Sequence, residues 1–264
     1  MGGQFDYDSA IVRPPSRYFS KGLTTRLGNA DYSLAQEQWS AYCSALVDAG
    51  VDLTILPPEL DCPDSCFVED VAVILKDERI VIPANIKEKS RKGEEKIVLE
   101  KLSTQGLNIV DGIKDPGTLD GGDVRRIGDT FYIGKSGRTN LQGIQQFIDK
   151  INQFGYEGYF ISVNSVLHLS TGSSYLGNNT VAAIKELAES YINFGHKMIE
   201  IPDNEGYAAG LLRVNDCLLA PRLNGRSFER TLDNVSSLGY KVIEIEMSEF
   251  EKQDGSLSCL SLLF

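Results

Sequence analysis

Residues 123–163, DVRRIGDTFYIGKSGRTNLQGIQQFIDKINQFGYEGYFISV, hold one complete folding unit. Asp123–Ile127 and Thr130–Gly134 are extended runs on either side of Gly128-Asp129, the signal of a β-hairpin. Thr139–Phe154 then reads as an amphipathic helix. Gly155 stands where such a helix would end in a left-handed cap. Tyr156–Val163 is rich in β-branched and aromatic residues, as a short buried strand would be.

The same order recurs along the chain. Helical stretches at Ser33–Ala49, Lys89–Gln105, Thr180–Phe194 and Ser227–Leu238 are followed by Gly50, Gly106, Gly195 and Gly239. After each glycine comes a β-rich run: Val51–Leu56, Leu107–Val110, His196–Ile201 and Tyr240–Ile245. Further hairpins are expected at Asp70–Pro83 around Lys76–Arg79, and at Gly210–Pro221 around Asn215-Asp216. A weaker one falls at Ser173–Gly177 and Thr180–Ala183 around Asn178-Asn179, so residues 180–183 carry both a helical and a strand signal. A fifth hairpin requires Ser258–Phe264 to pair with Ala10–Arg13, joining the two ends of the chain. Such pairing closes a ring and hides its edges.

The repeat is thus strand, hairpin, helix, at a spacing of about fifty residues. Five copies predict a closed ring of α/β blades in a single domain spanning 1–264. An open doubly wound sheet would explain the alternation of strands and helices but not the recurring hairpins.

Composition limits the function classes. The chain has 264 residues, 26 Lys plus Arg against 37 Asp plus Glu, and a net charge of −11. That balance disfavours nucleic-acid binding. No apolar run approaches the roughly 20 residues of a membrane span. The first residues lack a basic start and an apolar stretch, and Asp6 stands where a myristoylation signal wants Ser or Thr. Five cysteines, an odd number without a signal peptide, predict free thiols in a reducing, cytoplasmic setting. Cys62 and Cys66 are close together but lack two further soft ligands, so no metal is expected.

Counting forward from each capping glycine places the unusual residues in register. Asp64 lies 14 and Asp70 lies 20 beyond Gly50, while Asp120 lies 14 beyond Gly106. His168 lies 13 beyond Gly155; Asp254 and Cys259 lie 15 and 20 beyond Gly239. In a ring, equivalent positions converge near the axis. A thiol, an imidazole and several carboxylates in one cavity are the parts of a nucleophilic enzyme. The chain has only two histidines. His196 opens a strand and reads as structural, whereas His168 has the register position, with Asp120 available to orient it. Cys43 and Cys217 read as core. Leu119–Asp123, LDGGD, lacks a phosphate-loop pattern and its acids would repel phosphate.

Five motifs in order now carry a resemblance. They are Cys66–Val73 (CFVEDVAV), Thr118–Val124 (TLDGGDV), Ser136–Asn140 (SGRTN), Leu167–Leu169 (LHL) and Asp254–Cys259 (DGSLSC). Together they resemble the dimethylarginine dimethylaminohydrolases, small members of the guanidine-modifying superfamily, over nearly the whole chain. The resemblance implies a five-bladed α/β propeller of ββαβ units and hydrolysis of Nω-methylated arginine to citrulline and a methylamine. It implies no metal and no organic cofactor. On it, Cys259 is the nucleophile, His168 the general acid and base, and Asp120 the acid that orients the histidine. Asp70 grips the guanidinium, with Asp254 near the same end. Arg91 and Arg138 bind the substrate's α-carboxylate, and Asp64 and Glu69 face its α-amino group. Leu23 offers its backbone from a lid.

Arginine, agmatine or another guanidine remain open as substrates, although two carboxylate-binding arginines would disfavour agmatine. A non-catalytic binding protein on the same fold is a further reading. The expected partner is a small guanidine, with neither nucleic acid nor membrane. The sequence does not decide assembly, and a homodimer is compatible with it.

Overall fold

The computed structural model describes residues 3–26 and 28–264 of the chain. It opens with β1 (Ser9–Val12), α1 (Tyr32–Asp48) and β2 (Asp52–Ile55). The hairpin β3 (Ala72–Leu75) and β4 (Ile80–Pro83) leads to α2 (Glu95–Thr104) and β5 (Asn108–Ile109). The hairpin β6 (Val124–Ile127) and β7 (Thr130–Lys135) leads to α3 (Leu141–Asn152) and β8 (Glu157–Ser162). A single turn, α4 (Leu169–Gly172), precedes β9 (Ser173–Gly177) and β10 (Thr180–Ala183), then α5 (Lys185–Asn193) and β11 (Lys197–Glu200). The last hairpin, β12 (Leu212–Val214) and β13 (Cys217–Arg222), leads to α6 (Glu229–Ser236) and β14 (Lys241–Glu246). A short turn, α7 (Ser248–Glu251), and β15 (Ser261–Leu263) complete the order.

These strands form five three-stranded sheets: β15-β1-β2, β3-β4-β5, β6-β7-β8, β9-β10-β11 and β12-β13-β14. In each, the first pair is antiparallel and the third strand joins in parallel after the helix. This is the expected ββαβ repeat, five times over. The first sheet takes its strands from both ends of the chain, with Ala10 opposite Leu263, Ile11 opposite Leu262 and Val12 opposite Ser261. The Ser9 amide donates to the Phe264 carbonyl at 2.9 Å.

The capping glycines are as the sequence implies. Gly50, Gly106, Gly155, Gly195 and Gly239 have φ of 90°, 80°, 85°, 83° and 77°, the left-handed region where a Cβ is penalised. Hairpin turns at Asn178, Asn179 and Asn215 use the same region, which asparagine tolerates through its short polar side chain.

Three local expectations need correction. The runs after each glycine are the outer strands, not buried ones: Ile55, Phe160 and Val242 are exposed, while the fully buried strand is the middle one, such as β10. Apolar character there reflects β propensity rather than burial on both faces. Thr180–Ala183 is strand, and the helix starts at Lys185; the β-branched, wholly buried TVAA run packs better in a pleat. The Lys89–Gln105 helix is split, with a 3₁₀ turn at Lys89–Arg91, Gly93 at φ 104°, and α2 from Glu95.

The core lies between blades, with helices packed outside the sheets. Ile144, Phe147 and Ile151 form the buried stripe of α3, at the i, i+3, i+7 spacing of one helix face. Phe131 of β7 meets Phe147 and Tyr156 edge-on at 5.6 and 5.3 Å. No helix among the described residues is long and apolar enough to cross a membrane.

Candidate active site

Two sets of connections meet in one pocket. The segments that follow outer strands β2, β8 and β14 bring Asp64, Phe67, Asp70, Leu167, His168, Gln253, Asp254, Gly255 and Cys259 to its wall. The segments that lead into helices α1, α2 and α3 bring Leu23, Arg91 and Arg138. The register count is therefore a real convergence, and the connection after β5 stands directly behind it with Asp120. Cys259 sits in a 3₁₀ turn, Ser258–Leu260, immediately before β15, and is 3% exposed. Its Sγ lies 3.3 Å from Ser256 Oγ.

Behind the wall, His168 Nε2 is 3.1 Å from Asp120 Oδ2, and both residues are buried. His168 Nδ1 faces Asp70 Oδ1 at 3.9 Å. Asp123 fixes the backbone here, accepting from the Leu169 amide at 3.0 Å and the Ser136 hydroxyl at 2.6 Å. The LDGGD stretch is explained by close approach. A Cβ at Gly121 would fall on the Glu69 carbonyl, and one at Gly122 would stand 2.7 Å from Asp70 Oδ1 and 3.0 Å from His168 Nδ1. The glycines let two acidic loops touch.

Asp70 is held from two sides. Its Oδ1 accepts from the Gly122 amide at 3.1 Å, and its Oδ2 from Arg91 Nη1 at 2.7 Å. Arg91 is 3% exposed, and its other donors are engaged by Glu94 at 2.9 and 3.0 Å and by the Phe67 carbonyl at 3.1 Å. Arg91 thus forms part of the wall, with four of its five N–H groups engaged and the second Nη1 hydrogen without a partner among the described residues. Arg138 is freer: its guanidinium stands 3.6 Å from both Glu88 and Asp120, outside hydrogen-bond range.

A strap crosses the pocket. Asp64 accepts from the Leu23 amide at 3.1 Å through both oxygens. Asp254, itself at φ 58°, accepts from the Thr25 amide at 2.6 Å and the Thr25 hydroxyl at 2.9 Å. Thr24 Oγ1 donates to the Lys252 carbonyl at 2.8 Å, and Arg26 pairs with Glu251. Under the strap the cavity measures about 20 Å³, room for one water.

Glu69 is the one expected site residue that the structure places elsewhere. It neighbours Asp70 in a 3₁₀ turn, Val68–Val71, which sends adjacent side chains apart. Its carboxylate accepts from Arg125 Nη1 at 2.8 Å and Ser258 Oγ at 3.0 Å. It lines a second cavity of about 190 Å³, shared with Phe5, Arg125 and Arg213. Glu69 is hydrogen-bonded to the residue before Cys259 and does not line the pocket.

Burial tends to drive His168 down, but Asp70, Asp123 and Asp120 outweigh it and raise the imidazole to about 9. Burial drives the Cys259 thiol up to about 12, with Glu69 and Asp70 adding to the effect. Burial also pushes the Asp70 carboxyl up; the His168 imidazolium and Arg91 outweigh it and hold the group below its ordinary value. Burial raises Asp64, and raises Glu94 to about 7 despite Arg91. At neutral pH the resting site holds a thiol, an imidazolium and a set of paired acids.

Asp70, Asp120 and His168 have ligand atoms within 4.8 Å of one another, a spacing that suits a metal. Arg91 and Arg138 already stand against those carboxylates, which suits organic cations and protons better than a second dication. Residues the sequence reading missed are Phe67, Glu94, Asp123, Leu167 and Gln253. Phe67, Asp123 and Leu167 stand inside the quoted motifs without a role assigned there, and Gln253 lies 14 residues beyond Gly239, the same count that reaches Asp64 and Asp120; Glu94 carried no signal.

His196 is structural, as its position implied. It bridges Asn179 Oδ1 at 2.5 Å and the Tyr132 hydroxyl at 2.7 Å.

Residues 18–189 match the family model described as N,N dimethylarginine dimethylhydrolase, eukaryotic. The chain is 40% identical over 255 residues to the N(G),N(G)-dimethylarginine dimethylaminohydrolase of Pseudomonas aeruginosa, covering 96% of this chain and 98% of that one. It is 34% identical over 255 residues to the enzyme of the same name from Streptomyces coelicolor, covering 96% and 95%. A cysteine-to-serine mutant of the Pseudomonas aeruginosa protein, complexed with citrulline, superimposes with a TM-score of 0.92 at 38% identity, over 98% of this chain and 100% of that chain. The N-terminal domain of the cyanobacterial arginine dihydrolase ArgZ shares the fold at 19% identity, with a TM-score of 0.85 over 98% and 97% of the two chains. A ring that joins the two ends of the chain, a buried thiol just ahead of the closing strand, and 40% identity along nearly the full length of a named relative lead to one conclusion. The chain belongs to the dimethylarginine dimethylaminohydrolase family.

Proposed function

We propose that this protein hydrolyses Nω-methylated L-arginine to L-citrulline and a methylamine, with residues 1–264 acting as one catalytic domain. The observation that carries the reading is that Cys259 and His168, from different blades, line one pocket with Asp70, Asp64 and Arg138. A guanidinium is a poor electrophile, so the site must hold its carbon against the sulfur; proximity of this kind removes much of the barrier. Asp70 and Asp254 accept its N–H groups. Arg138 meets the α-carboxylate together with Arg91, which also positions Asp70. Asp64 and the Leu23 backbone stand at the α-amino end.

The thiol at about 12 is idle until substrate arrives. The guanidinium brings a positive charge beside it and stabilises the thiolate, so binding releases the thiol proton to solvent. Sγ then bonds to the guanidinium carbon. The tetrahedral adduct breaks its carbon–nitrogen bond, and His168 gives its proton to the departing methylamine. The neutral imidazole then takes a proton from water, which attacks the S-alkylthiouronium carbon. The resulting tetrahedral adduct breaks its carbon–sulfur bond, its hydroxyl proton passes to the sulfur, and citrulline leaves. Asp120 keeps the imidazole oriented throughout.

The test is citrulline formation from monomethylarginine, asymmetric dimethylarginine, arginine and agmatine, with Cys259→Ser as control. Turnover of methylated arginines that vanishes in the variant supports the reading. Full turnover by Cys259→Ser would overturn the nucleophile, and turnover of agmatine alone would overturn the substrate.

A further inference from the structure

Among the described residues lining the pocket, Gln253 is the one neutral side-chain amide. It is 2% exposed, and neither its Oε1 nor its Nε2 has a hydrogen-bond partner among the described residues. Buried side-chain polar atoms are nearly always paired, and an amide left unpaired is destabilising. Its backbone is fixed on both sides by the strap: the Lys252 carbonyl accepts from Thr24, and the Asp254 carboxylate accepts from Thr25. The acids around it, unlike the amide, each have at least one partner in the protein. Asp70 is held by Arg91, Asp64 by Leu23 and Asp254 by Thr25. An unpaired amide placed at such a wall is suited to a ligand.

We propose that Gln253 is a specificity-determining residue whose Oε1 accepts an N–H from the terminal guanidinium nitrogen on the side away from Asp70. This rests on the guanidine reading of the site. The chemistry then separates substrates. Arginine and monomethylarginine offer an N–H on either terminal nitrogen. Asymmetric dimethylarginine has one nitrogen with none, so with that nitrogen turned to Gln253 the amide stays unpaired. A site that meets an N–H with an acceptor rejects the analogue lacking it. Gln253 biases this protein toward guanidines that carry a hydrogen on each terminal nitrogen.

The experiment measures kcat/KM of the wild type and Gln253→Met on arginine, monomethylarginine and asymmetric dimethylarginine. Methionine keeps the length and removes both polar atoms, and thermal melts check folding. Gln253→Glu, which keeps an acceptor, covers the case in which the methionine variant fails to fold. One hydrogen bond to a charged group corresponds to about a ten- to hundredfold effect. The expected result is that loss for arginine and monomethylarginine in Gln253→Met, with asymmetric dimethylarginine unchanged or improved. Gln253→Glu should retain the wild-type ranking. An equal loss on all three substrates would overturn the proposal by placing the amide at their shared amino-acid end. No change in any would overturn it as well. Calorimetric binding of the same three compounds to Cys259→Ser, with and without Gln253→Met, separates the two levels. If Cys259→Ser binds none of them, the guanidine reading itself fails and the proposal with it. If it binds them with a ranking that Gln253→Met leaves alone, only the role of Gln253 fails.

Discussion

The two histidines of this chain make the electrostatics of the site directly measurable. His168 is raised to about 9, whereas burial lowers His196 below its ordinary value, so their imidazole resonances should titrate far apart. The gap between about 9 and the ordinary value of 6.5 corresponds to about 3 kcal/mol favouring the imidazolium in the folded protein. The folded-state value lies above the unfolded one, so the stabilisation is fully present below pH 6.5 and is lost as pH rises to about 9. Asp120→Asn keeps the shape but removes one of the three acids that hold the proton. It should lower the His168 titration by about one to two units, the usual effect of a near opposite charge. The decrease in kcat should be about a hundredfold or more, since proton transfer at the leaving amine then lacks an oriented donor. Imidazole NMR between pH 5 and 10, alongside kcat against pH, reads both quantities. A wild type in which both histidines titrate below pH 7 would refute the reasoning, as would an Asp120→Asn variant with His168 unmoved.

Two further outcomes follow from packing. Asn215 combines a φ of 53° with bonds to the Tyr7 amide, the Tyr7 carbonyl and the Ala49 carbonyl, tying the N-terminal segment and α1 to the last hairpin. Asn215→Ala should destabilise by about 3 kcal/mol from the lost bonds and the strained backbone, and Asn215→Gly by less, both read from urea midpoints. At Gly143 a Cβ would fall on the Thr118 carbonyl, so Gly143→Ala should lower the melting temperature sharply; Gly137→Ala, with nothing within 4 Å, should leave it unchanged.

Much of this architecture was legible because it repeats. Five glycines with positive φ close five helices, and a strand follows each. A periodicity of that length survives local ambiguity, which is why the split at Gly93 and the late start of α5 left the ring intact. Burial was harder to read. An edge strand and a middle strand are both rich in Val, Ile and Tyr, and only the packing of neighbours separates them. The acids, histidine and cysteine of the pocket follow from the register count, because equivalent positions in a ring must converge. Glu69 shows the limit: one residue's rotation in a 3₁₀ turn decides which cavity a carboxylate enters. Glu94 and Asp123 act through Arg91 and the Leu169 amide, and such supporting contacts leave no spacing pattern.

The pairing of β1 with β15 has a consequence for the order of events in folding. Ala10 and Leu263 stand opposite each other across 253 residues of chain, so the first sheet is completed by its most distant contact. Contacts of that separation form late and slowly. Cys259 lies between β14 and β15, within this final join. A growing chain assembles the imidazole and the acids of four blades before the sulfur is held among them. Nucleophilic competence toward a bound guanidinium is thus tied to completion of the ring.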